Sequence, residues 1–262
     1  MRASIYSING KIAKETELPG VFEESVRPEL IARAVLHEQS KLRQPKGVFK
    51  LAGLQTTAEY RGRKEGYRSM KNRGIARLPR EKLPKGRFGK VRIVPFAVKG
   101  RRAHPPNPNK ILVEKLNHKE YQKALRSAIA ATARKELVAA RGHRVNGLGL
   151  PIIVEQKFEE LGKTREVVDF LERIGLAPEL ERGKDWKRIT GVRARRYGGK
   201  RERKTVLIVA RPNTPVLRAA RNIAGVDVHT LGTLDARALA PGGQPGRLTL
   251  WSEAVIEEMR RM

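Results

Sequence analysis

The chain has no cysteine, which excludes disulfides and thiolate metal sites and fits a reducing compartment. It is also poor in carboxylates: 27 Asp and Glu stand against 56 Lys and Arg, a formal net charge of +29 over 262 residues. A field of that sign attracts nucleic acid or an anionic membrane surface. Long hydrophobic runs are missing too. No segment approaches the roughly 20 apolar residues that span a bilayer, and Met1-Arg-Ala-Ser-Ile-Tyr-Ser-Ile lacks the apolar run of a signal peptide. The expectation is a soluble cytoplasmic chain with no membrane partner.

The motifs of catalysis are also absent. Gly142-His-Arg-Val-Asn-Gly147 has the glycine spacing of a phosphate-cradling loop, but Leu148-Gly149 follows where Lys and Ser/Thr would be needed, so it reads as a helix cap and turn. Gly242-Gly-Gln-Pro-Gly246 reads as a turn because Pro245 removes one of the amides such a loop uses. There is no G-x-G-x-x-G after a strand and no G-x-S-x-G elbow. The five histidines, at 37, 104, 118, 143 and 229, show no metal-ligand spacing and read as surface or packing residues. Glu159-Glu160 and Glu257-Glu258 read as solvated faces. The sequence supports neither an enzyme nor a cofactor.

What is present is charge, and its distribution is uneven. Pro45 to Lys110 holds 19 Lys and Arg against Glu59, Glu65 and Glu81, a net of +16 in 66 residues. Arg182 to Lys204 holds 11 against Asp185 and Glu202, a net of +9 in 23. The other 173 residues carry +4, like an ordinary globular domain with two basic appendages. Within 45–110 the apolar residues come singly or in pairs among eight Gly and seven Pro, and neither a helical nor a strand period holds for long. Ordering such a segment costs roughly 1 to 2 kcal/mol per residue, more than its own apolar contacts offset. A loop of this length is therefore disordered or held by something else, and a polyanion could hold it.

The remainder reads as α/β. Residues 3–8 form a strand turning at Asn9-Gly10, with Lys11 to Ala13 returning beside it. Pro28 to Leu42 reads as a helix with Leu30, Ile31, Ala34, Val35 and Leu42 on one face. Asn117-x-x-Glu120 is a capping-box-like start to a single helix ending at Gly142. Leu150 to Val154 is a strand; Thr164 caps a helix to Ile174, which Gly175 and Pro178 end. Lys204 to Ala210 is the strongest strand signal, an apolar run of the kind buried on both faces of a parallel sheet. A short helix begins at Pro215, Val226 to His229 is a strand, and Thr233 to Leu239 makes a helical turn or two. Leu248 to Trp251 is extended, and Ser252 caps a terminal helix to Arg261. This order predicts a single globular α/β domain spanning 1–262, with a mostly parallel sheet flanked by helices and a long basic loop inserted at 45–110.

The basic excursion carries Tyr60, Tyr67, Phe88 and Phe96 among its cations, and the second run carries Trp186 and Tyr197 beside Gly198-Gly199. Rings stack on unpaired bases while Arg forks grip phosphates, which is how proteins hold folded RNA. A disordered basic tail is the plain alternative for the first segment. It fits poorly, because the segment is internal and studded with Gly, Pro and aromatics rather than being a Lys tract. A solvated hairpin is the plain alternative for the second.

Several stretches resemble one family. Asn222-Ile-Ala-Gly-Val-Asp-Val-His229, Leu239-Ala-Pro-Gly-Gly243 and Arg247-Leu-Thr-Leu-Trp-Ser-Glu253 look like the end of large-subunit ribosomal protein L-four in its archaeal form. Ile75-Ala-Arg-Leu-Pro-Arg80 and Gly100-Arg-Arg-Ala-His-Pro-Pro106 resemble that family's loop. The likeness covers nearly the whole chain, though between Tyr60 and Arg73 this sequence is crowded with Arg and Lys where a glycine-dense run is expected. No long C-terminal extension of the eukaryotic kind is seen. The resemblance implies a structural protein whose body binds large-subunit rRNA early in assembly. Its loop threads through that RNA, with the tip at the narrowest part of the nascent-peptide exit tunnel, opposite the L-twenty-two family's loop. Partners would be the rRNA, neighbouring ribosomal proteins and the nascent peptide.

Carried onto this chain, the tip falls between about Arg77 and Pro95. The expected rRNA or tunnel residues there are Arg77, Arg80, Lys82, Lys85, Arg87, Phe88, Lys90 and Arg92. Before the tip come Arg61, Arg63, Lys64, Tyr67, Arg68, Lys71 and Arg73, and after it Lys99, Arg101, Arg102 and His104. The second segment, 182–204, adds Lys187, Arg188, Arg193, Arg195, Arg196, Tyr197, Lys200 and Arg201. Their roles would be phosphate neutralisation and wall charge. An RNA-modifying enzyme with a basic guide loop, or a general nucleic-acid-binding protein of the nucleoid or chromatin kind, is the alternative.

Overall fold

The structure, a computed structural model, describes residues 1–145 and 147–261. It divides into two compact units, 1–42 with 113–262, and 43–112. In chain order the strands and helices are β1 (Arg2–Tyr6), β2 (Ile12–Glu17), α1 (Pro28–Lys41), β3 (Arg80–Lys82), β4 (Phe88–Val91), α2 (His118–Thr132) and α3 (Lys135–Ala140). There follow β5 (Ile152–Val154), α4 (Thr164–Arg173), α5 (Ala177–Lys184), β6 (Trp186–Arg188), α6 (Gly191–Tyr197) and β7 (Lys200–Glu202). The last are β8 (Leu207–Val209), α7 (Pro215–Ala220), β9 (Asp227–His229), α8 (Ala236–Leu239), β10 (Thr249–Ser252) and α9 (Glu253–Arg261).

The body, residues 1–42 and 113–262, is built on a six-stranded sheet of order β2-β1-β5-β10-β8-β9. Only β1 and β2 are antiparallel, joined by a turn in which Gly10 takes φ +77° and Ser7 N–H donates to Lys11 O at 2.9 Å. The other neighbours pair in parallel: Ile153 lies beside Trp251, and Trp251 beside Val209. Every residue of β5, β8 and β10 is buried, because helices cover both faces. Alternation along the strands divides the core in two. Ile5, Ile153, Leu207, Val209 and Trp251 pack with α1, α2, α8 and α9. Tyr6, Ile152, Val154, Ile208 and Leu250 pack with α3, α4, α5 and α7 on the opposite face. Each such large side chain contributes roughly 1.5 to 3 kcal/mol. The mostly parallel sheet flanked by helices is the architecture expected from the sequence.

Several local expectations are corrected. The helix foreseen from Asn117 to Gly142 is two, broken at Arg134, which is extended at φ −91°, ψ 109°. The reason is packing: Ala124, Ala128 and Ile129 of α2 belong to one core layer and Val138 of α3 to the other, and one straight helix cannot serve both. Asn117 and Lys163 occupy N-cap positions without side-chain capping bonds, so Asn117 does not close a capping box and Thr164 is the first residue of α4, not its cap. Ser252 ends β10, and its buried Oγ has no hydrogen-bond partner among the described residues. Pro178 lies in the first turn of α5 and starts a helix after the break at Gly175. Leu42 is exposed at the end of α1, off its apolar face. Glu159 is not on a solvated face: it is buried, its Oε1 accepting from Arg211 N–H at 3.0 Å and its Oε2 from Arg211 Nε at 2.9 Å.

Polar contacts knit the body's helices together. Tyr121 donates to Glu38 Oε1 at 2.6 Å, and the same carboxylate accepts from the Ala236 and Arg237 amides at 2.9 and 2.8 Å, so α1, α2 and the start of α8 share one group. Desolvation and that carboxylate push the Tyr121 hydroxyl pKa up.

The unit at 43–112 is ordered differently. Among its described residues only Ala58 and Met70 are buried apolar side chains. Only short strands form among its described residues: β3 and β4 pair antiparallel across the Pro84–Gly86 turn, and Glu59 bridges Arg80. Close backbone approach substitutes for a core. A Cβ on Gly100 would lie 2.0 Å from Val94 O, so only glycine fits. Non-glycine residues take positive φ here at Arg68, Asn72, Lys85, Ile93 and Lys99, and at Ile93 (φ +70°) a β-branched side chain makes this costly.

Candidate nucleic-acid interface

In the 43–112 unit the three carboxylates pair with few of the cations. Glu59 takes Arg61 Nε at 3.3 Å and Lys82 Nζ at closer range. Glu81 takes Arg92 Nε at 2.6 Å, and Arg92 Nη1 also donates to Val98 O at 2.7 Å. These pairs hold Glu59 and Glu81 below the usual carboxylate range, through hydrogen bonds from Lys82 and Arg61 and from Arg92 respectively. Arg61, Lys82 and Arg92 thus brace the unit as well as charging it. Arg68 and Arg80 are half-buried, and the Nε of each has no hydrogen-bond partner among the described residues.

Most of the expected contact residues are displayed outward. Arg63, Lys64, Tyr67, Lys71, Arg73 and Arg77 are exposed before the β3–β4 hairpin. Lys85, Arg87 and Lys90 are exposed on it, and Lys99, Arg101, Arg102 and His104 after it. Lys85, at φ 56°, sits in the hairpin turn, inside the stretch assigned to the tip. Arginines sit over two of the rings: Arg68 over Tyr67 at 5.2 Å and Arg73 over Phe88 at 5.5 Å. Tyr67 still presents 76% of its surface and Phe96 74%, as stacking platforms would.

The second segment is a hairpin. β6 and β7 pair antiparallel, Lys187 opposite Arg201, with α6 between them. Lys187, Arg188 and Arg195 are exposed; the side chains of Arg193, Arg196, Tyr197, Lys200 and Arg201 lie outside those described. Of the glycine loops, Asn146 of Gly142–Gly147 lies outside the described residues. In the other, Gly242 and Gly243 take φ +80° and +83° in a turn, as foreseen.

Sequence reasoning missed a cluster in the body behind this hairpin. Glu179, fully buried, accepts from Arg182 Nη2 at 2.5 Å, from the Arg144 amide at 3.0 Å and from His143 Nδ1 at 2.6 Å. These donors hold its pKa down at about 2 in spite of burial. Arg247, also fully buried, reaches Asp227 Oδ2 at 2.8 Å, and Lys204 reaches Asp227 Oδ1 at 2.7 Å. Only the Glu179-x-x-Arg182 spacing, an i, i+3 helical pair, is visible locally. Among the described residues no three His, Cys, Asp or Glu are placed to hold a metal ion, and no helix is long and apolar enough to cross a membrane.

An α/β body with a buried sheet, an inserted unit almost without a core, and cations displayed on both basic segments define a strongly basic α/β protein with an inserted basic unit. Comparison with known proteins gives the particular case. The chain belongs to the Ribosomal protein L4/L1 family, whose model matches residues 16–262. Its relatives include the protein named "Large ribosomal subunit protein uL4" in Methanoregula boonei, 44% identical over 98% of both chains. Those of the same name in Methanocaldococcus jannaschii, 44% identical over 99% of this chain and 98% of that one, and in Halorubrum lacusprofundi, 42% identical over 99% of both, are similar. Membership makes this chain a structural ribosomal constituent and not an enzyme, as the likeness to the archaeal L-four family implied.

Proposed function

We propose that the chain is a primary rRNA-binding protein of the large subunit. In this reading it joins the rRNA early in assembly, in the cytoplasm, and its 45–110 segment lines part of the polypeptide exit tunnel, next to the L-twenty-two family and the nascent peptide. The observation that carries the reading is the 43–112 unit itself: cations displayed outward, two buried apolar side chains, and five non-glycine residues at positive φ. Strain of about 1 to 3 kcal/mol per such residue persists when surroundings over-determine the backbone. RNA packed around the segment supplies those surroundings and neutralises the charge.

The test is whether the native chain stays with large subunits through a wash at about 0.5 M salt. A protein with 6 to 10 ordinary phosphate contacts loses about 10³ to 10⁵ in affinity between 50 and 200 mM. Retention at one copy per particle supports an interlocked structural component; release into the soluble fraction overturns it.

A further inference from the structure

A concave site of about 570 Å³ opens on the body where α3, α5, the β6–β7 hairpin and the 241–243 turn come together. Its charged lining among the described residues is Arg141, Arg182, Lys187, Arg203 and Lys204, with no carboxylate among them. Carboxylates outside the lining pair with three of these: Glu179 with Arg182, Asp227 with Lys204, and Asp185 with Arg203 at 3.5 Å. Counting Arg247 behind the wall, six cations against those three carboxylates give +3 among the described residues.

Arg141 carries the imbalance. Its Nη2 donates to Pro241 O at 2.6 Å and its Nη1 to Gln244 O, so its hydrogen bonds are met by neutral carbonyls alone. Burial, together with the positive charges of Arg247 and Arg182, brings its pKa down to about 10. Carbonyls satisfy donors without neutralising a charge, so an anion in the cavity would relieve what the protein leaves uncompensated. The lip is shaped for close approach: Gly242 takes φ +80°, and the space where its Cβ would project holds nothing within 4 Å. The volume lies within the roughly 300 to 1,000 Å³ of small-molecule sites, room for phosphate groups with their sugar linkage. Arginine forks meet phosphate oxygens two at a time, and the lysines add point charges.

We propose that this cavity is a phosphate-binding site that grips the RNA backbone, anchoring the body to rRNA through Arg141, Arg182, Lys187, Arg203 and Lys204. It rests on the reading of the chain as an rRNA-binding protein and adds to it a seat separate from the 43–112 segment. The same chemistry would recognise a free polyphosphate, so the test has an arm for each source.

Arg141→Gln removes the two bonds that hold the 241–244 turn and can perturb the fold, so the informative variant is the exposed pair Lys187→Gln with Arg203→Gln in the full-length chain. Lys85→Gln with Arg87→Gln in the β3–β4 hairpin is the comparison. Binding to a large-subunit rRNA fragment is measured across a salt series, and inorganic pyrophosphate is titrated by calorimetry. The expected result is a drop of about 1 to 2 in the slope of log affinity against log salt for the pocket pair, with loss of pyrophosphate binding. The hairpin pair keeps pyrophosphate binding. An unchanged affinity and slope in the pocket pair, while the wild type binds rRNA, overturns the site and leaves the proposed function standing. If the wild type does not bind rRNA, the function itself fails. Pyrophosphate binding that survives such a failure and is lost in the pocket pair assigns the cavity to free phosphates, which also overturns the RNA seat.

Discussion

The amide of Glu114 donates to Ser40 Oγ at 3.0 Å, closing a separation of 74 residues. A second contact, between His37 Nδ1 and Glu114 O, reinforces it, and Ser40 is itself buried at the end of α1. The body thus holds together the two chain ends between which 43–112 is inserted. Neither core layer draws on that insertion. Replacing 43–112 by a short Gly/Ser linker is therefore expected to leave a folded body that still binds rRNA, with a shallower salt dependence. Far-UV circular dichroism checks the fold; loss of the body's helical signal would refute this independence.

Gly100 makes the complementary prediction. Its missing side chain lets Val94 O approach to where a Cβ would be 2.0 Å away, and a Cβ on Gly53 would lie 2.6 Å from Gly100 O. Gly100→Ala must move that backbone, and both contacts belong to the 43–112 unit. The expected outcome is an unchanged melting midpoint for the body together with at least a tenfold loss of rRNA affinity, about 1.4 kcal/mol. Calorimetry and the salt-wash assay read the two separately.

What the sequence disclosed followed the range of the forces involved. The all-apolar runs of β5 and β8 announce strands buried on both faces, and the Asn9-Gly10 turn announces its hairpin, because each signal is local. The break at Arg134 was hidden, since the apolar stripe continues through it and only the two-layer core requires a change of direction. Glu159 looked solvated because nothing near it in sequence reveals Arg211 as its partner. The cations of 43–112 were evident from composition alone, whereas Arg141 was passed over: Arg182, Lys204 and the 241–244 turn meet it only through tertiary folding.

Arg247 tests how far the cluster behind the cavity depends on geometry. Its Nε donates to Thr205 O at 2.9 Å, its Nη1 to Ala238 O at 2.8 Å, and its Nη2 faces Asp227. A lysine ammonium keeps the charge, but its donors spring from one nitrogen and cannot reach acceptors spaced around Nε, Nη1 and Nη2 of the guanidinium. Arg247→Lys leaves buried carbonyls unpaired and is expected to cost about 3 kcal/mol. At roughly 2 to 4 °C per kcal/mol for a body of this size, the melting midpoint should fall by about 6 to 12 °C. A fall of a degree or less would show that water or a rearranged Asp227 replaces the guanidinium.

The acid sensitivity of the fold should trace to His143 and Glu179. His143 Nδ1 faces both Glu179 Oε1 at 2.6 Å and Arg182 Nη2 at 3.0 Å; in the Nδ1–H tautomer it donates to the carboxylate, and Nε2 is buried without a hydrogen-bond partner among the described residues. Protonating Nε2 would bury an unmatched N–H, and desolvation accordingly holds the His143 pKa below its ordinary 6.5. The unfolded chain takes up that proton as pH falls below 6.5 while the folded chain does not, so stability declines from there downward. Glu179, ordinarily at 4.5 and held at about 2, adds a second loss between those values, about 3 kcal/mol when complete. Denaturant unfolding at pH 7, 5 and 3 should show both stages. His143→Gln keeps a donor to Glu179 and cannot titrate, so it should flatten the stage from pH 7 to 5 and leave the stage below 4.5 intact. An unchanged first stage in that variant would place the sensitivity on other groups.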